Sequence, residues 1–277
     1  MARKEGQRRV VITADDLGLS EQNNAGIISA HREGIVSTAS LMVGGDAREE
    51  ALALLTQCPN LSVGLHVTFS DTLPILPAEK VPLLVTTEGR FPTDDRAHKT
   101  ALLSIEGRKQ IRAEIAAQFR AYDATGLAWD HVNTHRHIHR HPLLALMLFA
   151  EAKRWSVRAT RIPWDPPADP LRQMRFVVLR QMAQSFGLVT PDRSIGRDWD
   201  VQGLIDLLSA LPAGTTEIYF HPTTTPGHIF AADLPVLLDD GARKALTDLT
   251  VCTGLRHACV SSTSTLPPAP GAARQRV

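Results

Sequence analysis

The feature that most constrains the fold of this 277-residue chain is a repeated alternation of short apolar runs with segments of helical periodicity. Alternation of this kind favours a parallel sheet or barrel with helices outside it. The sequence predicts strands at residues 10–13, 39–43, 61–68, 130–135, 157–162 and 216–221. It predicts helices at residues 21–33, 49–57, 109–125, from 142 onward, 170–186, 201–211 and 240–247. We therefore expect an α/β fold.

Two segments depart from this alternation. Residues 70–100 are rich in Pro, Asp and Thr, and a long insertion of this kind is more often a substrate lid or wall than a domain boundary. Residues 264–277 are rich in Pro, Ala and Gly without an apolar period, which predicts a disordered tail. The organisation we predict is a single catalytic domain over residues 1–263, with an insertion near 70–100.

Composition and charge exclude several classes of protein. Lys and Arg total 30 and Asp and Glu total 29, so the net charge is +1, too even for a protein that binds nucleic acid through phosphate contacts. No apolar run approaches the ~20 residues of a transmembrane helix, and none resembles a signal peptide. The three scattered cysteines indicate neither a disulfide framework nor a Cys-based zinc site. We expect a cytoplasmic protein, whose oligomeric state the sequence does not indicate.

Polar residues stand where two of the predicted strands end. Asp15 and Asp16 follow the first strand, and adjacent carboxylates repel each other unless a cation or a shared proton relieves the charge. A pair of helix-capping residues is the alternative interpretation. His66 lies in the third strand, where it is either a hydrogen-bonded core residue or a ligand. Strand ends of α/β barrels build active sites.

A histidine-rich block covers residues 130–142 and holds five of the 11 histidines. Alternate residues of a strand share one face, so His131, Asn133 and His135 are predicted to point together into the barrel. Closely packed imidazoles depress one another's protonation, and neutral imidazole is the commonest metal ligand. A basic surface loop is the alternative to a metal or catalytic role.

A fourth cluster places His221 after a late strand, and we expect it to face the carboxylates from across the barrel. One Asp and two His would bind a divalent ion and leave positions open for water and substrate. A second Asp could then accept the proton of the water, and a late His could protonate the leaving group. These residue types suit hydrolysis of a carbonyl-centred bond such as an amide.

Five motifs carry a family resemblance over roughly residues 8–230. They are Thr-Ala-Asp-Asp-Leu-Gly at 13–18, Asn24 with Gly26-Ile27, Gly64-Leu65-His66, the block His131–Pro142, and Phe220-His221-Pro222. In order and spacing they resemble the YdjC-like carbohydrate deacetylases, a branch of the metal-dependent glycoside hydrolase/deacetylase barrels. The resemblance implies a distorted (β/α) barrel that removes N-acetyl groups from amino sugars.

The resemblance also implies roles for particular residues. Asp16, His66 and His135 align with the ligands of one divalent metal ion. Asp15 aligns with the general base and His221 with the late histidine proposed as the acid. The candidate substrate-binding residues are Arg161, Asn133 and His137, and many family members carry an Asp at the position of Asn133. Family members are usually described with Mg²⁺, whereas two imidazoles and one carboxylate suit Zn²⁺, Mn²⁺ or Co²⁺ at least as well.

Within the family, the sequence is most similar to deacetylases associated with hopanoid biosynthesis. That similarity implies an acetylglucosamine unit on a hopanoid glycolipid, and peripheral contact with the inner membrane surface. The runs 73–77 and 81–85 are apolar enough for such contact, although core packing explains them equally well. Two other classes stay open: a metal-dependent phosphoesterase, although those typically open with His-x-His on the first strand, and a non-catalytic metal-binding protein.

Overall fold

The computed structural model describes residues 6–163 and 169–260. These contain a parallel sheet of seven strands, in which β4, β3, β2, β1, β6 and β5 are neighbours in that order and β7 pairs with β1. The strands are β1 Arg8–Leu17, β2 Thr38–Leu41, β3 Ser62–Val67, β4 Val132–Thr134, β5 Arg193–Ile195, β6 Gly214–Phe220 and β7 Thr250–Val251. The tail predicted at 264–277 lies outside the described residues.

Helices connect the strands and cover the outside of the sheet. They are α1 Glu21–Arg32, α2 Arg48–Leu55, α3 Arg96–Ala101, α4 Ile105–Asp123, α5 Pro142–Arg154, α6 Pro170–Ser185, α7 Val201–Ala210, α8 Asp233–Leu238, α9 Asp240–Ala245 and α10 Leu255–Val260. Two short 3-10 helices cover Ala78–Lys80 and His135–Arg140. The predicted α/β fold is therefore confirmed, and the parallel strands form a curled half-barrel sheet.

Two isolated bridges extend the sheet beyond β4. Val132 bridges to Thr160, and Ala159 bridges to Val189, both in parallel orientation. Since β5 pairs with β6 at the other end of the sheet, the segment 189–195 contacts both ends. The strand predicted at 157–162 exists only as these bridges, so that prediction is wrong in extent.

Two layers of apolar packing hold the barrel together. The large core lies between the sheet and the helices, where Ile12, Leu41 and Leu65 are fully buried. A smaller cluster, around Val11 and Leu255, brings the last helix, α10, against β1. Asp130 accepts hydrogen bonds from the backbone amides at the start of that helix. Apolar packing and hydrogen bonds to Asp130 thus hold α10 against the sheet.

The insertion at 70–100 is packed onto α4. Glu114 of α4 accepts hydrogen bonds from the backbone amides of Ile75 and Leu76, and Gln110 accepts one from Leu83. Burial raises the pKa of Glu114. The apolar run at 81–85 packs against the core in part, because Val81 and Leu84 are buried. This segment therefore has fixed contacts beside the edge of the sheet where the strands end.

Candidate metal centre and catalytic groups

A bulge in β1 brings both neighbouring aspartates to the site. The register between β1 and β2 runs from Ala14 opposite Ala39 to Leu17 opposite Leu41, so two residues of β1 face one of β2. Adjacent strand residues normally point to opposite faces, and a bulge re-aims one of them. Asp16 has a φ of 70°, a left-handed conformation that Asp tolerates better than most residues. Both carboxylates are consequently buried at the same edge.

Asp16, His66 and His135 come together as the sequence predicts, and we call them the ligand cluster. The Asp16 Oδ1 atom is 3.2 Å from His66 Nε2 and 3.0 Å from His135 Nδ1. One potential ligand atom from each residue lies within 4.8 Å of the others. They reach this point from β1, from β3 and from the first residue after β4, because parallel strands end at one edge.

The side chains around His66 fit a cation. His66 Nδ1 lies 2.6 Å from Asn133 Oδ1, so this nitrogen donates its proton to the amide oxygen. Nε2 of the neutral ring then presents a lone pair toward Asp16, and this buried atom has no hydrogen-bond partner among the described residues. Two electron-rich atoms without a proton between them are stabilised by a cation. Neutral imidazole with its second nitrogen fixed is also the usual form of a metal-binding histidine.

His135 is held between two carboxylates. Its Nδ1 faces Asp16 and its Nε2 lies 3.1 Å from Asp71 Oδ2. Burial alone would lower the pKa of His135, but Asp16 and Asp71 outweigh it and raise the pKa to about 9. Asp71 also pairs with Arg136 at 3.1 Å. A proton on His135 Nδ1 and a cation in the ligand cluster are therefore alternative ways to neutralise Asp16.

Asp15, Arg161 and Glu217 form a second group, which we call the arginine cluster. Arg161 donates from both terminal nitrogens to Asp15, and one of these nitrogens also donates to Glu217 Oε1 at 2.7 Å. Burial by itself would raise the pKa of Asp15, but the Arg161 guanidinium holds it well below its usual range. Asp15 is therefore a carboxylate that stays ionised at neutral pH.

Arg161 is fully buried and lies over the ring of Tyr219, with its Cζ 4.1 Å from the ring centroid. Its guanidinium is thus covered by an aromatic face and engaged by two carboxylates. Contact with a substrate, the role predicted from the sequence, needs an accessible guanidinium. What the geometry provides instead is a rigid partner that orients Asp15.

Asn133 connects the two clusters. Its Nδ2 donates to Asp15 Oδ1 at 3.1 Å and to Ser40 Oγ at 2.9 Å, while its Oδ1 accepts from His66. An amide can donate to one side and accept from the other in this way, whereas an ionised carboxylate at this position would be an acceptor only. The amide at this position therefore fixes the orientation of both His66 and Asp15.

His221 lies beside Asp15 and not across the barrel from it. The strand before it, β6, pairs directly with β1, so the expected opposite placement is wrong. His221 Nε2 is 4.0 Å from Asp15 Oδ2, and the ring stacks on Phe230 with centroids 4.3 Å apart. The backbone amide donates to Asp233. With 20% of its side chain exposed, His221 is accessible beside a buried carboxylate.

The rest of the histidine-rich block serves several purposes. His131 does point inward, and it is hydrogen-bonded to Ser40 and Asp130. The ring occupies the space that a side chain at Gly64 would need. His139 bonds to Thr134 and to the backbone carbonyl of Arg161. These two rings are structural.

His137 differs from its neighbours in the block. Burial, together with the nearby Arg161, lowers its pKa well below the usual value, and its Nδ1 has no partner among the described residues. It packs edge-on against Tyr219, and both residues line a cavity of about 850 Å³. His137 therefore stands between the arginine cluster and this cavity.

Three polar residues of the site were missed by sequence reasoning. Asp71 lies in the insertion, where no pattern indicates that it reaches His135. Ser40 is a small residue in a strand, indistinguishable by type from a packing residue. Glu217 is a charged residue in the apolar strand before His221, which is the one usable signal. Its side chain accepts from Thr13 as well as from Arg161.

The fold and the site together define a curled (β/α)-barrel protein with a candidate divalent-metal centre at the carboxyl ends of its strands. A family model described as YdjC-like protein matches residues 9–253. The chain therefore belongs to the YdjC-like protein family.

Two curated relatives are similar to this chain in sequence. The carbohydrate deacetylase of Brevibacillus brevis is 35% identical over 156 residues, which are 56% of this chain and 60% of that protein. The carbohydrate deacetylase of Thermoanaerobacter pseudethanolicus is 26% identical over 251 residues, which are 89% of this chain and 94% of that protein. The match to the first relative thus spans about three fifths of its length.

A solved structure from Enterococcus faecalis, described as a candidate cellobiose-phosphate cleavage protein, has the same fold. The two chains superpose with a TM-score of 0.75 at 21% identity, covering 89% of this chain and 97% of that one. Similarity at this level of identity supports the architecture alone.

Proposed function

We propose that this protein is a metal-dependent hydrolase that removes an N-acetyl group from an amino sugar. The observation that carries the proposal is the pairing of two unlike clusters around Asn133. The ligand cluster has a buried imidazole nitrogen without a partner, and the arginine cluster beside it holds an ionised carboxylate. Relatives named carbohydrate deacetylase support the substrate class.

The residues that would hold one divalent ion are Asp16, His66 and His135. The chemistry that such an ion supplies when bound is polarisation of the amide carbonyl and a lower pKa of water. Family resemblance favours Mg²⁺, while two imidazoles and one carboxylate suit Zn²⁺, Mn²⁺ or Co²⁺ equally well. Asn133 fixes the tautomer of His66, so that Nε2 is the nitrogen available as a ligand.

Asp15 and His221 are the groups we propose to move protons. Asp15 is ionised and can accept a proton from the attacking water, and Arg161 with Glu217 keeps its carboxylate in one orientation. His221 Nε2, 4.0 Å away, can protonate the amine as it departs, since an amine is a poor leaving group until it is protonated. Arg161 acts through Asp15, as a positioning residue.

The substrate we propose is an acetylglucosamine unit, carried on a hopanoid glycolipid. His137 would contact the sugar from the cavity side, since it lines the cavity and its buried Nδ1 has no partner among the described residues. Asn133 is fully buried and would act on the substrate through His66 and Asp15, which it orients. A lipid-linked sugar would place the enzyme in the cytoplasm at the inner membrane surface. Among the described residues no helix combines the length and apolarity that crossing a bilayer requires.

The decisive test measures which group is released. Purified protein loaded with Mg²⁺, Zn²⁺, Mn²⁺ or Co²⁺ is incubated with acetylated glycolipids, with chitooligosaccharides and with phosphate monoesters. We expect acetate from the acetylated sugars, with a matching mass loss in the product. Phosphate release without acetate would favour a phosphoesterase. Tight metal binding with neither product would indicate a non-catalytic metal protein.

A further inference from the structure

The cavity beside His137 and Tyr219 has a strongly basic wall. Five cationic side chains line it: Lys99, Arg136, Arg140, Arg172 and Arg175. The one carboxylate that lines it is Asp95, which pairs with Lys99. Arg140 and Arg175 pair with no carboxylate among the described residues. Arg136 pairs with Asp71 and Arg172 with Asp169, so the positive charges left uncompensated among the described residues are those of Arg140 and Arg175.

The protein surface around the cavity also carries many exposed apolar side chains. Twelve large hydrophobic residues are exposed in the described part of the chain, and eight of them belong to three short segments around this cavity. On α6 they are Leu171, Met174, Val177 and Val178, and on α5 they are Leu143 and Leu146. The turn into α4 contributes Leu103, 83% exposed, and Ile105. A surface patch of this kind marks an interaction site.

The helix α6 shows that the patch is a second apolar face and not an edge of the core. Phe176, Leu179 and Ala183 form its buried face. At 100° per residue, Leu171, Met174 and Val178 fall on a different side of the helix. Arg175 projects between that stripe and the buried face and reaches the cavity. An exposed apolar stripe bordered by arginines is the pattern of a helix lying in a bilayer interface.

The three segments lie at the catalytic face. In a chain of parallel strand–helix units, each helix begins at the edge where the strands end. The exposed residues belong to the first five residues of α5, to the first nine residues of α6 and to the turn that leads into α4. They therefore surround the same edge of the sheet that carries the ligand cluster.

We propose that this face docks on an anionic phospholipid bilayer. The apolar side chains would enter the interface while Arg140 and Arg175 contact lipid phosphates, because an anionic surface attracts basic residues that lie close to it. Pairing of this face with a second copy of itself would bring the same cations together, which disfavours a symmetric dimer. The face proposed here differs from the runs 73–77 and 81–85, for which lipid contact and core packing both stay open.

A protein docked in this way would have the mouth of the cavity facing the membrane. A sugar attached to a lipid would then reach His137 without its lipid leaving the bilayer, a consequence that rests on the proposed function. The docking itself is argued from exposure and charge alone. Measurements of membrane binding therefore stay informative even if the proposed hydrolysis is wrong.

Vesicle co-sedimentation of the full chain tests the proposal. Vesicles contain phosphatidylcholine alone or with phosphatidylglycerol, and chelator is present so that no catalysis intervenes. We expect binding to the anionic vesicles about tenfold tighter than to neutral ones, falling as salt is raised. Leu171→Ser with Met174→Ser, and separately Arg140→Gln with Arg175→Gln, should each weaken that binding roughly tenfold or more.

Matched controls sit at the other end of the barrel. Val251→Ser on β7 and Arg32→Gln at the end of α1 should leave binding unchanged, since they change the same residue types away from this face. All variants should keep the thermal unfolding midpoint of the parent protein, because the substituted side chains are exposed. No binding to anionic vesicles, or equal losses in the controls, would overturn the proposal. So would self-association that the α6 substitutions abolish, which would make this face a protein interface.

Discussion

Asp15 and Asp16 are neighbours in the sequence, and both are buried, but each carboxylate belongs to a different cluster. Asp16 faces two imidazoles, one of which turns an unpartnered nitrogen toward it. Asp15 faces a guanidinium that is itself clamped by Glu217. The first arrangement can be neutralised by a proton on His135 or by a bound cation, and the second already contains a cation in its own chain.

The comparison shows how two chemically identical carboxylates can have different roles, because their neighbours differ. Arg161 cannot lose its charge under ordinary conditions, so Asp15 is kept ionised whether or not a metal is present. Neutralisation of Asp16 depends on what the ligand cluster holds, a proton on His135 or a metal ion. Substitutions in the two clusters should therefore separate metal binding from turnover.

The largest effect is expected in the ligand cluster. His66→Ala removes one of the three proposed ligands, so metal content and activity should fall together, by more than the ten- to hundredfold that loss of a supporting residue costs. Metal content by mass spectrometry and acetate release are measured on the same sample. His31→Ala, a histidine on α1, is the control and should change neither. Full metal content and full rate in His66→Ala would remove His66 from the ligand set.

A separate outcome is expected for the arginine cluster. Asp15→Asn should keep the metal, because Asp15 is not among the ligand atoms, while turnover falls roughly 10²-fold or more from loss of the proton acceptor. Asp16→Asn is the matched variant and should lose the metal instead. If Asp15→Asn releases the metal, Asp15 is itself a metal ligand, and the separate roles that the contacts of the two aspartates indicate are wrong.

The role of His221 sharpens the comparison further, because its Nε2 lies 4.0 Å from Asp15 of the arginine cluster. His221→Ala should spare metal binding and slow amide cleavage about 10²-fold, the size of a lost general acid. Activated anilides, whose leaving groups need less protonation, should lose much less. Equal losses on the amide and the anilide would make His221 a packing or substrate-binding residue stacked on Phe230.

The smallest effect is expected at Asp71, which touches the ligand cluster only through His135. Asp71→Asn should weaken metal affinity about tenfold by freeing the ring of His135, as is typical of residues that support a ligand. Titration calorimetry measures this without any substrate. Asp46→Asn, which removes the exposed pair with Arg90 of the same insertion, is the control. Unchanged metal affinity in Asp71→Asn would show that the insertion does not orient His135.

Much of the architecture follows from local patterns. The strand ends carrying Asp15, His66 and His221 were predictable because β-branched runs stop at polar residues, and parallel strands bring those ends to one edge. Ser20 accepts a hydrogen bond from the backbone of Asn23 at the start of α1, which is the cap its sequence predicts. The triad of Asp16, His66 and His135 follows from the same logic, although its metal and the residue roles stay predictions.

The errors have a common physical cause, which is that loops are placed by distant contacts. The strand predicted at 130–135 ends at Thr134 because Arg136 and His137 take positive φ angles. No local periodicity encodes the approach of Asp71 to His135, and β5 is too short to give an alternating pattern. The placement of His221 was wrong for a different reason: sequence distance does not reveal that the sixth strand lies beside the first.

The bulge in β1 has a consequence for how such a site can change over generations. Its two aspartates share a face only because the strand carries one residue more than its neighbour between Ala14 and Leu17. A deletion in this segment could keep both aspartates in the sequence, but one of the two carboxylates would then point to the opposite face of the sheet. Single substitutions can change the properties of this site step by step. A change in the number of residues would at once separate the two carboxylates onto opposite faces.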